Sequence, residues 1–96
     1  MQRIGLTMKI DLGRKAHKFL EKLDKASQSK IKEKVNILRN SLENSGAIPI
    51  NILDIKTLRG EWYPMKRLRI GNYRIIFYID NDLLKIPVID NRGDIY

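Results

Sequence analysis

Residues 67–79 read RLRIGNYRIIFYI, and this stretch decides the fold. Basic and apolar residues alternate from Arg67 to Ile70, so a strand here carries its arginines on one face and its apolar side chains on the other. Gly71-Asn72 then separates this run from a second one that is rich in β-branched and aromatic residues. A Gly-Asn pair between two such runs is a two-residue hairpin signal. The stretch therefore predicts an antiparallel β-hairpin.

The segments around the hairpin predict two helices and two further strands. Alternating apolar residues predict a strand over residues 2–11, and a run rich in apolar residues predicts the last strand over residues 83–89. Apolar residues at helical spacing predict helices over residues 14–24 and 27–44. Residues 46–56 contain a proline and no clean period, so they are interpreted as a loop.

The resulting order of elements is β-α-α-β-β-β, which predicts a single α+β domain over residues 1–96. A helical hairpin is expected to pack on one face of a mainly antiparallel four-stranded sheet. Pro87 lies inside the last strand and has no N–H to donate to a neighbouring strand. We therefore expect Pro87 to mark a sheet edge or a β-bulge.

Composition excludes several classes of protein. The 96 residues include 19 Lys and Arg, 11 Asp and Glu, one His and no Cys. The lack of Cys excludes disulfides, thiolate nucleophiles and Cys-bound metals, and a single His excludes sites that need two imidazoles. No apolar run resembles a membrane span or a signal peptide, so we expect a soluble cytoplasmic protein. The standard motifs of metal and nucleotide sites are absent from the sequence, so we expect no metal or cofactor. The net charge of +8 indicates a polyanionic partner, either nucleic acid or an acidic protein.

The positive charge has a different character in the two halves of the chain. Residues 1–48 hold 11 basic and 5 acidic side chains, mostly lysines between apolar helix positions, as on a solvated helix face. The second half concentrates arginine around the hairpin. Guanidinium groups bind phosphates through paired donors and stack on bases, and tyrosines among them add stacking surface. The candidate RNA-binding residues are Arg59, Lys66, Arg69 and Tyr73, of which Lys66 points to the opposite face in a regular strand.

Two interpretations of the hairpin arginines stay open. Arg67, Arg69 and Arg74 line an open sheet face if the helices cover the other one. Alternatively, they are ordinary cross-strand charges that pair with carboxylates of the strand ends and turns, namely Asp80, Asp82 or Asp90.

Arginine, lysine and tyrosine suffice for one reaction class. RNA carries its own nucleophile, the 2′-hydroxyl, beside the scissile phosphate, so an enzyme need only orient it, assist its deprotonation and stabilise the phosphorane. Such a site suits RNA cleavage to a 2′,3′-cyclic phosphate without a metal. DNA lacks the 2′-hydroxyl and is a poor substrate for it.

Three motifs resemble those of the RelE/ParE toxin superfamily. They are LRG at residues 58–60, RLRIGNYRIIF at 67–77 and NRGDIY at 91–96. Members of the superfamily commonly show LRG, then a pattern like RLRVGDYRVIY, then HRRDVY. Residues 16–23, AHKFLEKL, also look like the superfamily's first helix.

This resemblance implies a RelE-type toxin of a type II toxin–antitoxin pair. Such a toxin is a ribosome-dependent mRNA endonuclease that cuts codons in the ribosomal A site, and a RelB-like antitoxin holds it inactive. By position, the resemblance assigns catalysis to Arg67, Arg74, Arg92 and Tyr96. Arg74 corresponds to a phosphate-binding arginine, and Tyr96 to a terminal tyrosine that acts in base stacking or proton transfer.

The sequence also departs from the superfamily pattern. Met65 and Gly93 stand where basic residues are frequent, and Asn91 replaces a common His. These departures affect acid–base catalysis more than RNA binding. Two alternatives therefore stay open: a ParE-like inhibitor of DNA gyrase, and a non-catalytic RNA-binding or interaction module of the same fold.

Overall fold

A computed structural model describes residues 7–91 of the chain. The secondary structure elements, in chain order, are strand β1 (Lys9–Leu12), helices α1 (Arg14–Glu21) and α2 (Lys25–Ser45), strand β2 (Asp54–Thr57), a 3₁₀ turn (Gly60–Trp62), and strands β3 (Lys66–Ile70), β4 (Tyr73–Asp80) and β5 (Leu83–Asn91). None of the helices in this part of the chain is long and apolar enough to cross a membrane.

The predicted α+β class is confirmed, with one strand more than expected. The two helices pack on a five-stranded sheet in the order β1-β5-β4-β3-β2. The β1–β5 pairing is parallel and the other three pairings are antiparallel. The sheet is therefore mixed, although antiparallel pairing dominates as predicted.

The additional strand, β2, lies in the segment that was predicted to be a loop, and that prediction is wrong. β2 spans four residues at the sheet edge and contributes one partly buried apolar side chain, Ile55. A four-residue edge strand with one inward apolar position has too short an alternation to be recognised in sequence. β2 forms by antiparallel pairing with β3, in which Asp54 stands opposite Arg69 and Thr57 stands opposite Lys66.

The helices bury the faces that their apolar spacing predicts. Ala16 and Leu20 of α1 are buried, as are Ile31, Val35 and Leu38 of α2. They pack against the sheet side chains that the alternation turns inward. These are Leu68, Ile70, Ile75, Phe77, Leu84, Ile86 and Ile89.

The first helix ends three residues earlier than predicted and the second begins two residues earlier, because Asp24 caps the N-terminus of α2. The Asp24 carboxylate accepts a hydrogen bond from the Ser27 backbone N–H at 3.3 Å. Hydrogen bonding to the Ser27 hydroxyl, and then to its backbone N–H, lowers the pKa of Asp24. Gln28 donates to the carbonyls of Leu20 and Leu23 at 2.9 and 3.1 Å, so α2 also caps the end of α1. Gly46 ends α2 in the left-handed region at φ 72°, as its type suggested.

The β4–β5 hairpin contains the predicted irregularity at Pro87. Ile76 pairs with Val88 but Tyr78 pairs with Lys85, so the register shifts by one residue between these pairs. β5 is an interior strand, and a bulge there accommodates a residue without an N–H. Of the first predicted strand, residues 9–11 belong to β1, residues 7–8 precede it, and residues 2–6 lie outside the described residues.

Candidate nucleic-acid interface

The alternation in β3 and β4 divides the sheet into two chemically different faces. Leu68 pairs with Ile75, and both belong to the core under the helices. Arg67 pairs with Ile76, and Arg69 pairs with Arg74, so these residues occupy the opposite side of the strands. We call the side that carries Arg67, Arg69 and Arg74 the arginine face. The hairpin thus brings together three of the predicted site residues.

A row of four charged residues crosses the arginine face. Asp54 stands opposite Arg69, Arg69 opposite Arg74, and Arg74 opposite Asp90, on strands β2 to β5 respectively. Neighbouring strands lie about 4.8 Å apart, so the row spans about 14 Å. An acid therefore stands at each end of the row with the two arginines between them.

Asp54 serves two arginines at once. Its Oδ1 lies 3.3 Å from Arg67 Nη1, in a hydrogen bond, and its Oδ2 lies 3.1 Å from Arg69 Nε, in an ion pair. The side chain of Asp54 is 48% exposed whereas that of Arg67 is 10% exposed. The arginine is thus held against the sheet while its acid stays in contact with solvent.

Arg74 and Asp90 form a two-pronged pair. Arg74 Nε and Nη2 donate to the two carboxylate oxygens of Asp90, each at 3.3 Å. The Arg74 side chain is 11% exposed, and Ile76, two residues along the same face, is fully buried. Both donors of Arg74 that face Asp90 are satisfied, which fixes the plane of the guanidinium.

This geometry combines the two interpretations of the hairpin arginines. The arginines do line a sheet face away from the helical core, and they also pair with carboxylates. The expected pairing of Arg74 with Asp90 is confirmed. The acid that pairs with Arg67 and Arg69 is Asp54, from the strand that the sequence did not reveal.

Comparison with known proteins finds similar chains among solved structures. No family model and no curated protein sequence matches the chain. The archaeal RelE–RelB complex from Pyrococcus horikoshii OT3 matches with a TM-score of 0.69 and 27% identity, over 91% of this chain and 97% of the other. The chain has the fold of a RelE toxin, and this likeness supports its membership in the RelE-like toxin superfamily.

Two further toxin complexes share the RelE-like fold at lower identity. The RelB–RelE antitoxin–toxin complex from Methanococcus jannaschii matches with a TM-score of 0.65 and 23% identity, over 90% of this chain and 94% of the other. The RelBE2 toxin–antitoxin complex from Mycobacterium tuberculosis matches with a TM-score of 0.68 and 22% identity, over 90% and 99%. The RelE-like fold therefore extends over nine-tenths of the chain.

The RelE-like fold places two of the candidate RNA-binding residues away from the arginine face. Lys66 pairs with the core residue Phe77, and its Nζ donates to Thr57 Oγ1 at 2.8 Å on the edge strand. Tyr73 packs against the helices: its ring lies edge-on to the ring of Phe19, with the two ring centroids 6.1 Å apart. Lys66 and Tyr73 thus lie on the helix side of the sheet.

The remaining candidates lie outside the sheet or outside the described residues. Arg59 is exposed in the connection between β2 and β3, directly before the 3₁₀ turn. Arg92 and Tyr96 follow the last described residue, and the structure therefore does not place them relative to Arg67 and Arg74.

Sequence reasoning missed polar residues of the arginine face that β2 and β5 supply. Lys56 stands opposite Arg67, and Asp54 opposite Arg69. Farther along the face, Tyr78 stands opposite Lys85, which pairs with Asp11 at 3.7 Å. The period-two spacing of Asp54 and Lys56 around Ile55 was the available signal, but it covers only three residues.

Proposed function

We propose that the chain is the toxin of a type II toxin–antitoxin pair and acts as a ribosome-dependent mRNA endoribonuclease in the cytoplasm. The observation that carries this proposal is the convergence of Arg67, Arg69 and Arg74 on one sheet face of a RelE-like fold. Guanidinium groups on a rigid strand pair can hold a phosphodiester in a fixed orientation. Backbone phosphates of mRNA are the matching polyanion.

The proposed reaction is attack of the RNA 2′-hydroxyl on the adjacent phosphorus. The P–O5′ bond breaks, which leaves a 2′,3′-cyclic phosphate and a free 5′-hydroxyl. Arg67 and Arg74 stabilise the negative charge that develops on the phosphorane oxygens. Arg92 and Tyr96 complete the proposed site, with Tyr96 stacking on a base or transferring a proton. Arg69 and Arg59 contribute further phosphate contacts.

The proposed partners are a RelB-like antitoxin, the ribosome and its mRNA. The neighbours from P. horikoshii, M. jannaschii and M. tuberculosis are toxin–antitoxin complexes, which supports an antitoxin for this chain. A net charge of +8 complements both an acidic antitoxin and ribosomal RNA.

Induced expression of the chain in bacteria tests the proposal. We expect growth arrest with loss of protein synthesis, and primer extension on ribosome-bound mRNA should show cuts in the A-site codon. Arg74→Ala and Arg92→Ala should each relieve the arrest, whereas Lys18→Ala on the exposed side of α1 should not. Full toxicity of the Arg74/Arg92 double variant contradicts the site. Induction of DNA damage with intact mRNA contradicts the nuclease and indicates a gyrase inhibitor instead.

A further inference from the structure

The carboxylate of Asp54 lies where an anion would bind between two arginines. It belongs to β2, the outermost strand, and its two oxygens face Arg67 Nη1 and Arg69 Nε. Its side chain is the most exposed of the charged groups in this cluster, at 48%, against 36% for Arg69 and 10% for Arg67. Asp54 is therefore the member of the cluster that can leave most easily.

Only one of the two contacts that hold Asp54 is a directed hydrogen bond. Asp54 lies 3.3 Å from Arg67 Nη1, which donates to it, and 3.1 Å from Arg69 Nε in an ion pair. Arg69 Nε is buried, yet within residues 7–91 it makes no hydrogen bond of acceptable geometry, although Asp54 is near. A buried donor without a directed acceptor is unfavourable, and an anion with more oxygens could satisfy it.

Asp90, at the other end of the row, is held by two directed hydrogen bonds rather than one. Asp90 lies on an interior strand, its side chain is 28% exposed, and both of its oxygens accept directed bonds from Arg74. Displacing Asp90 breaks two hydrogen bonds at once, whereas displacing Asp54 breaks one. Asp54 and Asp90 are therefore not equivalent in an encounter with phosphate.

We propose that Asp54 occupies an oxyanion site between Arg67 and Arg69 in the free protein, and that a phosphate group takes its place when Asp54 turns outward to solvent. The four tetrahedral oxygens of phosphate can accept from both guanidinium groups, including the Arg69 Nε–H that Asp54 leaves without a directed bond. Asp54 is thus a positioning residue: it keeps the two arginines in place until the ligand arrives. The identity of the ligand as an RNA phosphodiester rests on the proposed function, whereas the affinity for phosphate does not.

Inorganic phosphate is the probe that tests this site on the full chain. We expect Asp54→Asn to bind phosphate about tenfold more tightly than the wild type, because one competing negative charge at contact distance is removed. Affinity is measured by titration at constant ionic strength, following the ¹H–¹⁵N signals of the arginine Nε–H groups. Asp82→Asn makes the same change of charge in the exposed β4–β5 turn and should leave the affinity unchanged. Adding Arg69→Gln to Asp54→Asn should abolish the gain.

Several outcomes would overturn the site. Equal phosphate affinities of Asp54→Asn and the wild type contradict it, as does an equal gain in Asp82→Asn. Should Asp54→Asn fold poorly, Asp54→Thr places a residue of high β propensity at the same edge position and carries the same expectation. In the wild type, phosphate should shift the Nε–H signals of Arg67 and Arg69 before that of Arg74, and the reverse order refutes the assignment.

The proposed function fails by a separate measurement. If the wild type neither arrests growth nor cuts ribosome-bound mRNA, but Asp54→Asn still gains affinity for inorganic phosphate, the oxyanion site stands and the nuclease does not. If growth arrest and cleavage occur while the phosphate affinities are equal, the nuclease stands and the role of Asp54 is wrong.

Discussion

The pair between Arg74 and Asp90 allows a quantitative test of how the arginine face is held. Asp90→Asn keeps the shape of the side chain but removes its charge and one of the two acceptors that Arg74 uses. Arg74 then remains charged in a position where only 11% of its side chain is exposed. We expect the free energy of unfolding to fall, because a largely buried guanidinium loses its counter-charge.

The size of the effect follows from the geometry. Removing one partner of a buried ion pair costs about 3–5 kcal/mol, and a hydrogen bond to a charged group contributes about 1.5–3 kcal/mol. Asp90 is 28% exposed and both bonds are 3.3 Å long, so water offsets part of the loss. We therefore expect a destabilisation of about 2 kcal/mol, which lowers the Tm of a domain of this size by about 10 °C.

Urea unfolding of Asp90→Asn, Arg74→Gln and the double variant measures the pair directly. We expect a coupling energy of about 1 kcal/mol between the two positions, since neither side chain can re-pair when the other is changed. Asp82→Asn is the matched control and should change stability by less than about 0.5 kcal/mol, as an exposed turn residue. A coupling energy near zero, or equal effects of Asp90→Asn and Asp82→Asn, would refute the idea that this pair orders Arg74.

Three further predictions concern the scaffold beneath the face. Gly13→Ala places a Cβ 3.1 Å from the Cα of Pro87, and its other near neighbours are also backbone atoms of the interior strand β5. We expect this crowding to cost about 1–3 kcal/mol in urea unfolding, and no loss contradicts the tight approach of the two segments. Phe77→Ala empties a fully buried position and should cost about 3–5 kcal/mol, a large part of the roughly 5–15 kcal/mol that stabilises a domain. A smaller loss in thermal unfolding shows that the core collapses around the cavity. Because the hydrogen bonds from Ser27 lower the pKa of Asp24 from its ordinary 3.8, the stabilisation is present above that value and lost as pH falls through the lowered pKa. Asp24→Asn should therefore lessen the fall in Tm on acidification, and an unchanged pH profile rules out this contribution.

The hairpin and the helices could be predicted from sequence because their signals are local. The Gly71-Asn72 turn, the apolar spacing of both helices and the glycine at the end of α2 each involve residues within a few positions of one another. β2 could not be found in this way. Its residues become a strand because β3 offers backbone partners from Lys66 to Arg69, which lie 9 to 15 positions farther along the chain. The strand count was therefore wrong while the class was right.

The candidate site shows the same division between local and distant information. Alternation along β3 and β4 correctly placed Arg67, Arg69 and Arg74 on the side of the sheet away from the apolar core. The pairing of Arg74 with Asp90 was one of the open alternatives, since Asp90 directly follows the predicted last strand. The role of Asp54 was out of reach because it depends on the register of a strand that was not predicted. Sequence reasoning thus predicted the face on which the arginines lie but missed the carboxylate of Asp54 that pairs with two of them.

Because Asp54 and Asp90 pair with the arginines, the arginine face is not the main source of long-range attraction for a polyanion. The row of Asp54, Arg69, Arg74 and Asp90 carries no net charge, and Arg67, which shares Asp54, brings the ion-paired cluster only to +1. The excess of charge lies mainly in residues 1–48, with 11 basic and 5 acidic side chains, many on exposed helix positions. Long-range attraction acts over roughly a Debye length of 8–10 Å and follows net charge, so it is set by the helices rather than by the arginine face. The face itself acts at contact distance, where a phosphate must compete with carboxylates already in place. Under the proposed exchange at Asp54, recognition would be separated from attraction: the helix lysines would attract a polyanion at long range, and the arginines would bind only one whose phosphates can replace Asp54.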